Sequence, residues 1–331
     1  EICACLVGSE MCIRDSGALM IRQHQFFIGD GKDTGRQWQI PLNSNDKQAP
    51  VIFKDDELSL GKYSDVRQQL GEPFRVNVGN SSHFIVHYDD TLLDDILAHL
   101  DKLDAITQLQ LLQDLRLLAE GRQVSYASIV PLLQRFADSK ATVVITALYV
   151  MANNLKKFVT PDSDEEKALQ RLFDRLSHAQ VQRLGWLPVA GESNDDQLAR
   201  PTVLSAALYA QNHDAIAVAH QIFTDNQTQL ASLSADIRGL VLSNEVKHYG
   251  SEKLFNQLLT TYTQTSDASY KSSIRAALTS TPDAALIQKM IAQFENADVI
   301  KPQDLRGWFR GVLANAHGEQ AAWDWIRNDW Q

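Results

Sequence analysis

TLLDDILAHLDKLDAITQLQLLQDLRLLAEGRQVSYASIVPLLQRF, residues 91–136, is where the sequence changes its period. Leu92, Ile96, Leu97 and Leu100 recur at the spacing of one helix face. Ile106, Leu109, Leu112, Leu115 and Leu118 form a second stripe, and Ile129, Leu132, Leu133 and Phe136 a third. The pattern continues to Trp330, with breaks at Gly121, Pro161, Gly191, Gly250, Pro282, Pro302 and Gly318. It predicts about a dozen helices joined by short polar links. Each must bury its apolar face on a neighbour, and no fixed repeat length is present. The expected fold class is therefore mainly α: an irregular HEAT/armadillo-like stacked helical array over 91–331.

Upstream, residues 17–90 read differently. MIRQHQFFI (20–28), RQWQIPL (36–42), residues 50–53, FRVNV (74–78) and HFIVHY (83–88) are short alternating or apolar runs bounded by Gly, Asn and Asp. Such runs read as strands, and about six of them predict a small β-sandwich ahead of the helices. Local signals support the helical part. Gly250 is placed to end one helix, Thr281-Pro282-Asp283 to start another with proline at the first position, and Ser163 with Glu166 forms a capping box.

The totals narrow the function. The chain has 331 residues and a formal net charge of -10, so no basic excess exists to neutralise phosphates, and no nucleic-acid partner is expected. No run of about 18 apolar residues is present, so no membrane span is expected. Cys3, Cys5 and Cys12 are the only cysteines, which rules out a disulfide framework for the remainder and favours a reducing, cytoplasmic setting. Residues 1–16, EICACLVGSEMCIRDS, lack the regions of a signal peptide. They resemble translated adapter sequence, are read as artefactual or disordered, and are set apart from 17–90 and 91–331.

Motifs for chemistry are missing. His83 and His87 are four apart, but in a strand that separates them by ~13 Å, too far for two ligands of one zinc. Phe84 stands where a metalloprotease would carry its general-base Glu. His213 and His220 have no carboxylate fixed with them by spacing and read as surface histidines. GxSxG, P-loop and GxGxxG patterns are absent. Trp308, Trp323, Trp325 and Trp330 crowd the end, and the spacing of Trp323 and Trp330 places both on one helix face, packing the last two helices.

A resemblance goes further than these residues do. Ala235-Asp236-Ile237-Arg238, Val246, Gly250, Phe255, Leu258, Tyr262, Lys271, Ile274, Ala277, Leu278, Lys301-Pro302-Gln303-Asp304, Asn315, Gly318 and the run from Trp323 to Trp330 resemble, in order and spacing, the C-terminal domain of the aminopeptidase N family of zinc exopeptidases. Gln25-Phe26-Phe27, Trp38-Gln39-Ile40-Pro41-Leu42 and Asn77-Val78-Gly79-Asn80 resemble that family's β-sandwich; Ser82-His83-Phe84-Ile85-Val86 matches its closing strand only approximately.

The resemblance implies a parent enzyme that removes N-terminal residues from peptides. Its zinc domain, with HExxH and a GxMEN loop, precedes the β-sandwich. Neither motif occurs in this sequence, so both ends read as truncated, no catalytic or metal residue is assigned, and the chain alone is expected to be inactive. Zinc is expected in the parent and no cofactor in this chain. The expected partners are peptide substrate and the catalytic domain of the same polypeptide. The family's helical domain encloses the active-site chamber and gates peptides. By resemblance, Lys301, Gln303, Asp304 and Arg306 are the candidates to face that chamber, with Arg238 a second; the competing reading for each, and the heavier one, is a structural helix cap or inter-helix salt bridge. The alternative is a stand-alone helical-repeat interaction module.

Overall fold

The structure, a computed structural model, describes residues 7–13 and 17–329, with side chains described from 17 to 328. The chain divides into two compact units, 1–158 and 159–331. Among the described residues there are fourteen α-helices and six short strands, a mainly α chain.

The first unit opens with β1 (Val7–Ile13) and β2 (Ala18–Gln25), followed by β3 (Ile40–Pro41), β4 (Ile52–Phe53) and β5 (Glu57–Lys62). Helix α1 (Tyr63–Leu70) precedes β6 (Phe84–Tyr88), and α2 (Asp90–Ala98), α3 (Ala105–Glu120), α4 (Tyr126–Leu133) and α5 (Thr142–Asn154) complete the unit. One sheet has the order β5-β2-β1-β6, antiparallel except for the parallel β1/β6 pair, and β3 and β4 form a separate two-stranded ladder. The segment set apart in the sequence thus supplies an inner strand of the sheet.

Several strand expectations are corrected. In 36–42 only Ile40 and Pro41 pair, because the buried Gln23 side chain takes over the backbone nearby. Its amide accepts from the Trp38 N–H at 2.8 Å and donates to the carbonyls of Trp38 at 3.2 Å and Asp55 at 2.9 Å. Residues 74–78 form no strand. Asn77 turns the chain at φ 55, and its side chain bridges to the Ser82 backbone with bonds of 2.8 and 2.9 Å. Strand β5 and helix α1, which the sequence reading lacked, occupy 57–70.

The units part well beyond the composition change near residue 90. Leu118 of α3 forms a buried cluster with Ile85 of β6 and Phe26, so the first helices need the sheet to cover their apolar faces. On α3 the expected Leu112, Leu115 and Leu118 are buried, but Ile106 is exposed, and Thr107, Gln110, Leu111 and Asp114 widen the buried face.

The second unit contains α6 (Asp164–Leu184), α7 (Asn194–Tyr209), α8 (His213–Asp225), α9 (Ala235–Tyr249), α10 (Glu252–Gln264), α11 (Ala268–Leu278), α12 (Ala284–Ile291), α13 (Pro302–Leu313) and α14 (Glu319–Asp329). Helices α6, α8 and α10 pack on α7, α9 and α11 respectively, and α7, α9, α11 and α13 pack on one another in turn. The result is a stack of helix pairs with a continuous layer of alternate helices. Each helix from α6 to α12 starts on a side-chain cap: Ser163, Ser193, Asn212, Ser234, Ser251, Asp267 or Asp283.

At Ser163 the hydroxyl accepts from the Glu166 N–H at 3.1 Å, and the Glu166 carboxylate accepts from the Asp162 N–H at 2.7 Å, a box reaching one residue further back than expected. Asp283, not Thr281, caps α12, so Pro282 precedes the cap. Among the tryptophans, Trp308 is fully buried and Trp325 packs edge-to-face on Phe294, whereas Trp323 is 57% exposed. The packing residue of α14 is therefore Trp325; Trp330 lies outside the described residues.

Candidate functional site around Tyr262

Helix α13 begins without a side-chain cap. Lys301 is its N-cap and Pro302, with no N–H to satisfy, its first residue. One face of the helix is apolar: Trp308 and Val312 are buried, and Leu305 and Phe309 half-buried against the same core. The other face leaves Lys301, Gln303, Arg306 and Arg310 exposed. Gln303 and Arg306, three apart, share that face.

Asp304 points inward from the first turn. The hydroxyl of Tyr262 on α10 donates to its Oδ2 at 3.3 Å and accepts from Trp308 Nε1 at 3.1 Å. Lys271 of α11 lies with its Nζ 5.1 Å from the centre of the Tyr262 ring. Burial raises the phenol's pKa; the Trp308 hydrogen bond opposes that, the Asp304 carboxylate adds to it, and the Arg275 guanidinium opposes it. Arg275 is held over Gly307 of α13: a Cβ at that glycine would come within 2.5 Å of the guanidinium. One turn on, Gly311 meets Thr279 in the same way. These two glycines let α11 and α13 approach closely.

Tyr262 is thus the meeting point of two cations from α11 and one carboxylate from α13. Lys301 and Arg306 add two exposed charges at the same end of α13. Such a surface can receive an anion. Spacing could have found Lys271 and Arg275, which lie four apart on one helix face, but nothing local ties them to Tyr262.

Arg238 belongs elsewhere. Its side chain is 4% exposed. It donates to the Ala231 carbonyl at 2.7 Å, to Ser269 Oγ at 2.9 Å and to Ser273 Oγ at 3.3 Å, and lies 4.9 Å from the centre of the Tyr270 ring. Ser269 and Ser273 occupy the opposite side of α11 from Lys271 and Arg275. The geometry of Arg238 is that of a tie between α9 and α11.

The histidines divide. His83 and His213 are exposed, and His87 is half-buried in β6. Among the described residues no group of three or more His, Cys, Asp and Glu side chains could hold a metal ion. His220 is not simply a surface residue. Its Nδ1 pairs with Oε2 of the buried Glu245 at 2.7 Å, and its ring stacks on Tyr249 with 3.8 Å between centroids. The carboxylate comes from α9, 25 residues away, beyond the reach of a spacing rule.

Among the described residues no helix is long and apolar enough to cross a membrane. Residues 74–331 match the profile of the ERAP1-like C-terminal domain family. The chain is 58% identical over 318 residues to Aminopeptidase N of Lactobacillus helveticus, covering 96% of this chain and 38% of that protein. It is 52% identical over 316 residues to Aminopeptidase N of Lactobacillus delbrueckii subsp. lactis, covering 96% and 37%. A third relative, Aminopeptidase N of Lactococcus lactis subsp. lactis (strain IL1403), is 38% identical over 314 residues, covering 94% and 37%. The chain therefore spans less than two-fifths of the length of each of these relatives, and by its family match it belongs to the ERAP1-like C-terminal domain family.

Proposed function

We propose that this chain is the substrate-enclosing part of an aminopeptidase, a hydrolase that removes N-terminal residues from peptides. In this reading it lines the chamber and positions the far end of the peptide. The observation that carries the reading is the Tyr262 cluster, where Lys271 and Arg275 outnumber Asp304 and the neighbouring Lys301 and Arg306 remain exposed. A peptide's terminal carboxylate is the complementary group. Identity of 58% to a protein named Aminopeptidase N supports the activity of the parent. The stack of helix pairs supports a HEAT-like concave surface.

Zinc belongs to the parent in this reading. The described residues do not fit it, since they bring no three ligands together, and no step of hydrolysis is assigned to them. We place the parent in the cytoplasm because residues 13–331 contain no cysteine.

Two measurements test the proposal. The purified chain, supplied with zinc, should not turn over an aminoacyl-anilide; turnover would overturn the division of labour. In calorimetry, a tetrapeptide acid should bind at least fivefold more tightly than its amide, and a Lys301→Ala/Arg306→Ala variant should lose the difference. Equal binding of acid and amide would overturn the carboxylate reading and favour a stand-alone module that binds protein partners.

A further inference from the structure

The first unit contains a cavity of about 230 Å³ bounded by β6, α2, α3 and α4. None of the residues of the proposed peptide site lines it. Its volume lies between the roughly 150 Å³ of an engineered cavity that takes benzene and the roughly 300 Å³ where drug-sized pockets begin. Leu111 and Leu115 of α3 and Ile129 and Leu132 of α4 supply apolar wall. Its charged groups are of one sign, His87 aside. Asp114 lies within, Asp90 and Asp94 are exposed on α2, and no Lys or Arg is among the described lining residues.

Asp114 is the unusual member. It sits on the apolar stripe of α3, buried between Leu111 and Leu115. Its Oδ2 accepts from the Val86 N–H at 3.3 Å and from the Gln110 amide at 3.5 Å, two long bonds from neutral donors. No cation in the described surroundings compensates the charge, and burial pushes its pKa up to about 8. A carboxyl so placed costs stability when ionised, unless a cation enters beside it.

We propose that this cavity binds a small aliphatic primary ammonium, its charge on Asp114 and its alkyl body against Leu111, Leu115 and Ile129. The apolar walls select the body and the carboxylate selects the head. Asp90 and Asp94 draw the cation in, and the exposed Ser128 of α4 belongs to the same lining. Binding requires Asp114 to ionise, so below its pKa the ligand displaces a proton and affinity rises with pH. The other titratable groups of the lining are His87 and Tyr88 of β6 and the two aspartates of α2. Tyr88 is buried and stays neutral, its pKa raised by that burial; the aspartates are exposed.

The test is isothermal titration of the whole chain with 3-methylbutylamine, with 3-methylbutan-1-ol as the uncharged control. The amine should bind one to one, release a proton at neutral pH as read from two buffers of different ionisation enthalpy, and bind at least tenfold more tightly than the alcohol. Asp114→Asn should lose at least tenfold in affinity and all of the proton release. Ser128→Trp, at an exposed position, should block entry and lose binding as well. Equal binding of amine and alcohol, full affinity in Asp114→Asn, or no heat from the folded chain at millimolar amine would each overturn the proposal. Should Asp114→Asn fail to fold, the proton release and Ser128→Trp decide. Because the probes contain no peptide, failure here leaves the aminopeptidase reading untouched.

Discussion

The indole of Trp308 donates its Nε1 proton to the phenol oxygen of Tyr262 at 3.1 Å, with the two rings edge-to-face and 5.0 Å between centroids. The two residues lie 46 apart in sequence, on α10 and α13, and Trp308 is fully buried. Replacing Tyr262 by Phe keeps the ring contact and strands a buried N–H. The expected cost is about 1–3 kcal/mol of unfolding free energy, read by urea denaturation. A loss well under 0.5 kcal/mol, about the scatter of ordinary surface substitutions, would mean the hydrogen bond is not what ties these helices.

The glycine face of α13 offers a graded test. At Gly311 an added Cβ would approach Thr279 Oγ1 to 2.6 Å and Thr279 Cγ2 to 2.7 Å, both on a short, buried side chain. At Gly307 it would meet the end of Arg275, which can swing away. Gly311→Ala should therefore destabilise by about 1–3 kcal/mol, and Gly307→Ala by less. Thermal melts of the two variants check the order; the reverse order would mean that Arg275 is held more rigidly than Thr279.

Asp114 should make the chain less stable as pH rises. Its carboxyl has a folded pKa of about 8 against an ordinary value near 4, so the folded state holds a proton that the unfolded state has lost across that window. Stability then falls between roughly pH 4 and 8, by up to about 1.4 kcal/mol per pH unit from this group. Asp114→Asn should flatten that limb in denaturant titrations at successive pH values. An unchanged slope would show the carboxyl to be better solvated than its burial indicates.

Glu192 should act in the opposite sense. The side-chain hydrogen bond from Arg200 holds its pKa below the usual range. Arg200 Nη1 donates to Glu192 Oε1 at 3.0 Å, and Nη2 reaches Oε2, while its Nε and Nη2 also reach the Leu184 carbonyl at 3.3 and 3.2 Å. The stabilisation is present above the unfolded pKa and is lost as pH falls through the depressed folded value. Glu192→Gln should lower the melting temperature at neutral pH and have little effect at pH 3. A uniform loss at both pH values would assign the effect to packing rather than charge.

What could be read in advance followed from period and from local caps. Leu92, Ile96 and Leu97 are buried in α2 as their spacing predicts, with Leu100 buried in the turn that follows it, and Ser163 caps with Glu166 because both signals lie within one turn. In 36–42 the Gln23 side chain takes the backbone of Trp38 and leaves only Ile40 and Pro41 paired with β4, and in 74–78 the Arg75 and Val76 N–H groups go to the Asn45 side chain and the Tyr88 hydroxyl and those of Asn77 and Val78 to the Leu42 and Asn43 carbonyls, partners that no local pattern announces. Asp114 was hidden by the same logic: its place between Leu111 and Leu115 marks the buried face, but only the fold shows that a cavity adjoins it. Lys301, Gln303 and Arg306 lie exposed at the start of α13. Their relation to Lys271 and Arg275 depends on Tyr262, a partner from a third helix.

The layer formed by α7, α9, α11 and α13 has a consequence for how the second unit is made. Each member after α7 packs on the member two elements before it and on the helix just before it or just after it, so its docking surface is already present when it is synthesised. Assembly can advance from α6 toward α14 as the chain leaves the ribosome, each step burying its own apolar face. A stalled or shortened product would then present one uncovered pair at its growing end, with the earlier pairs already seated.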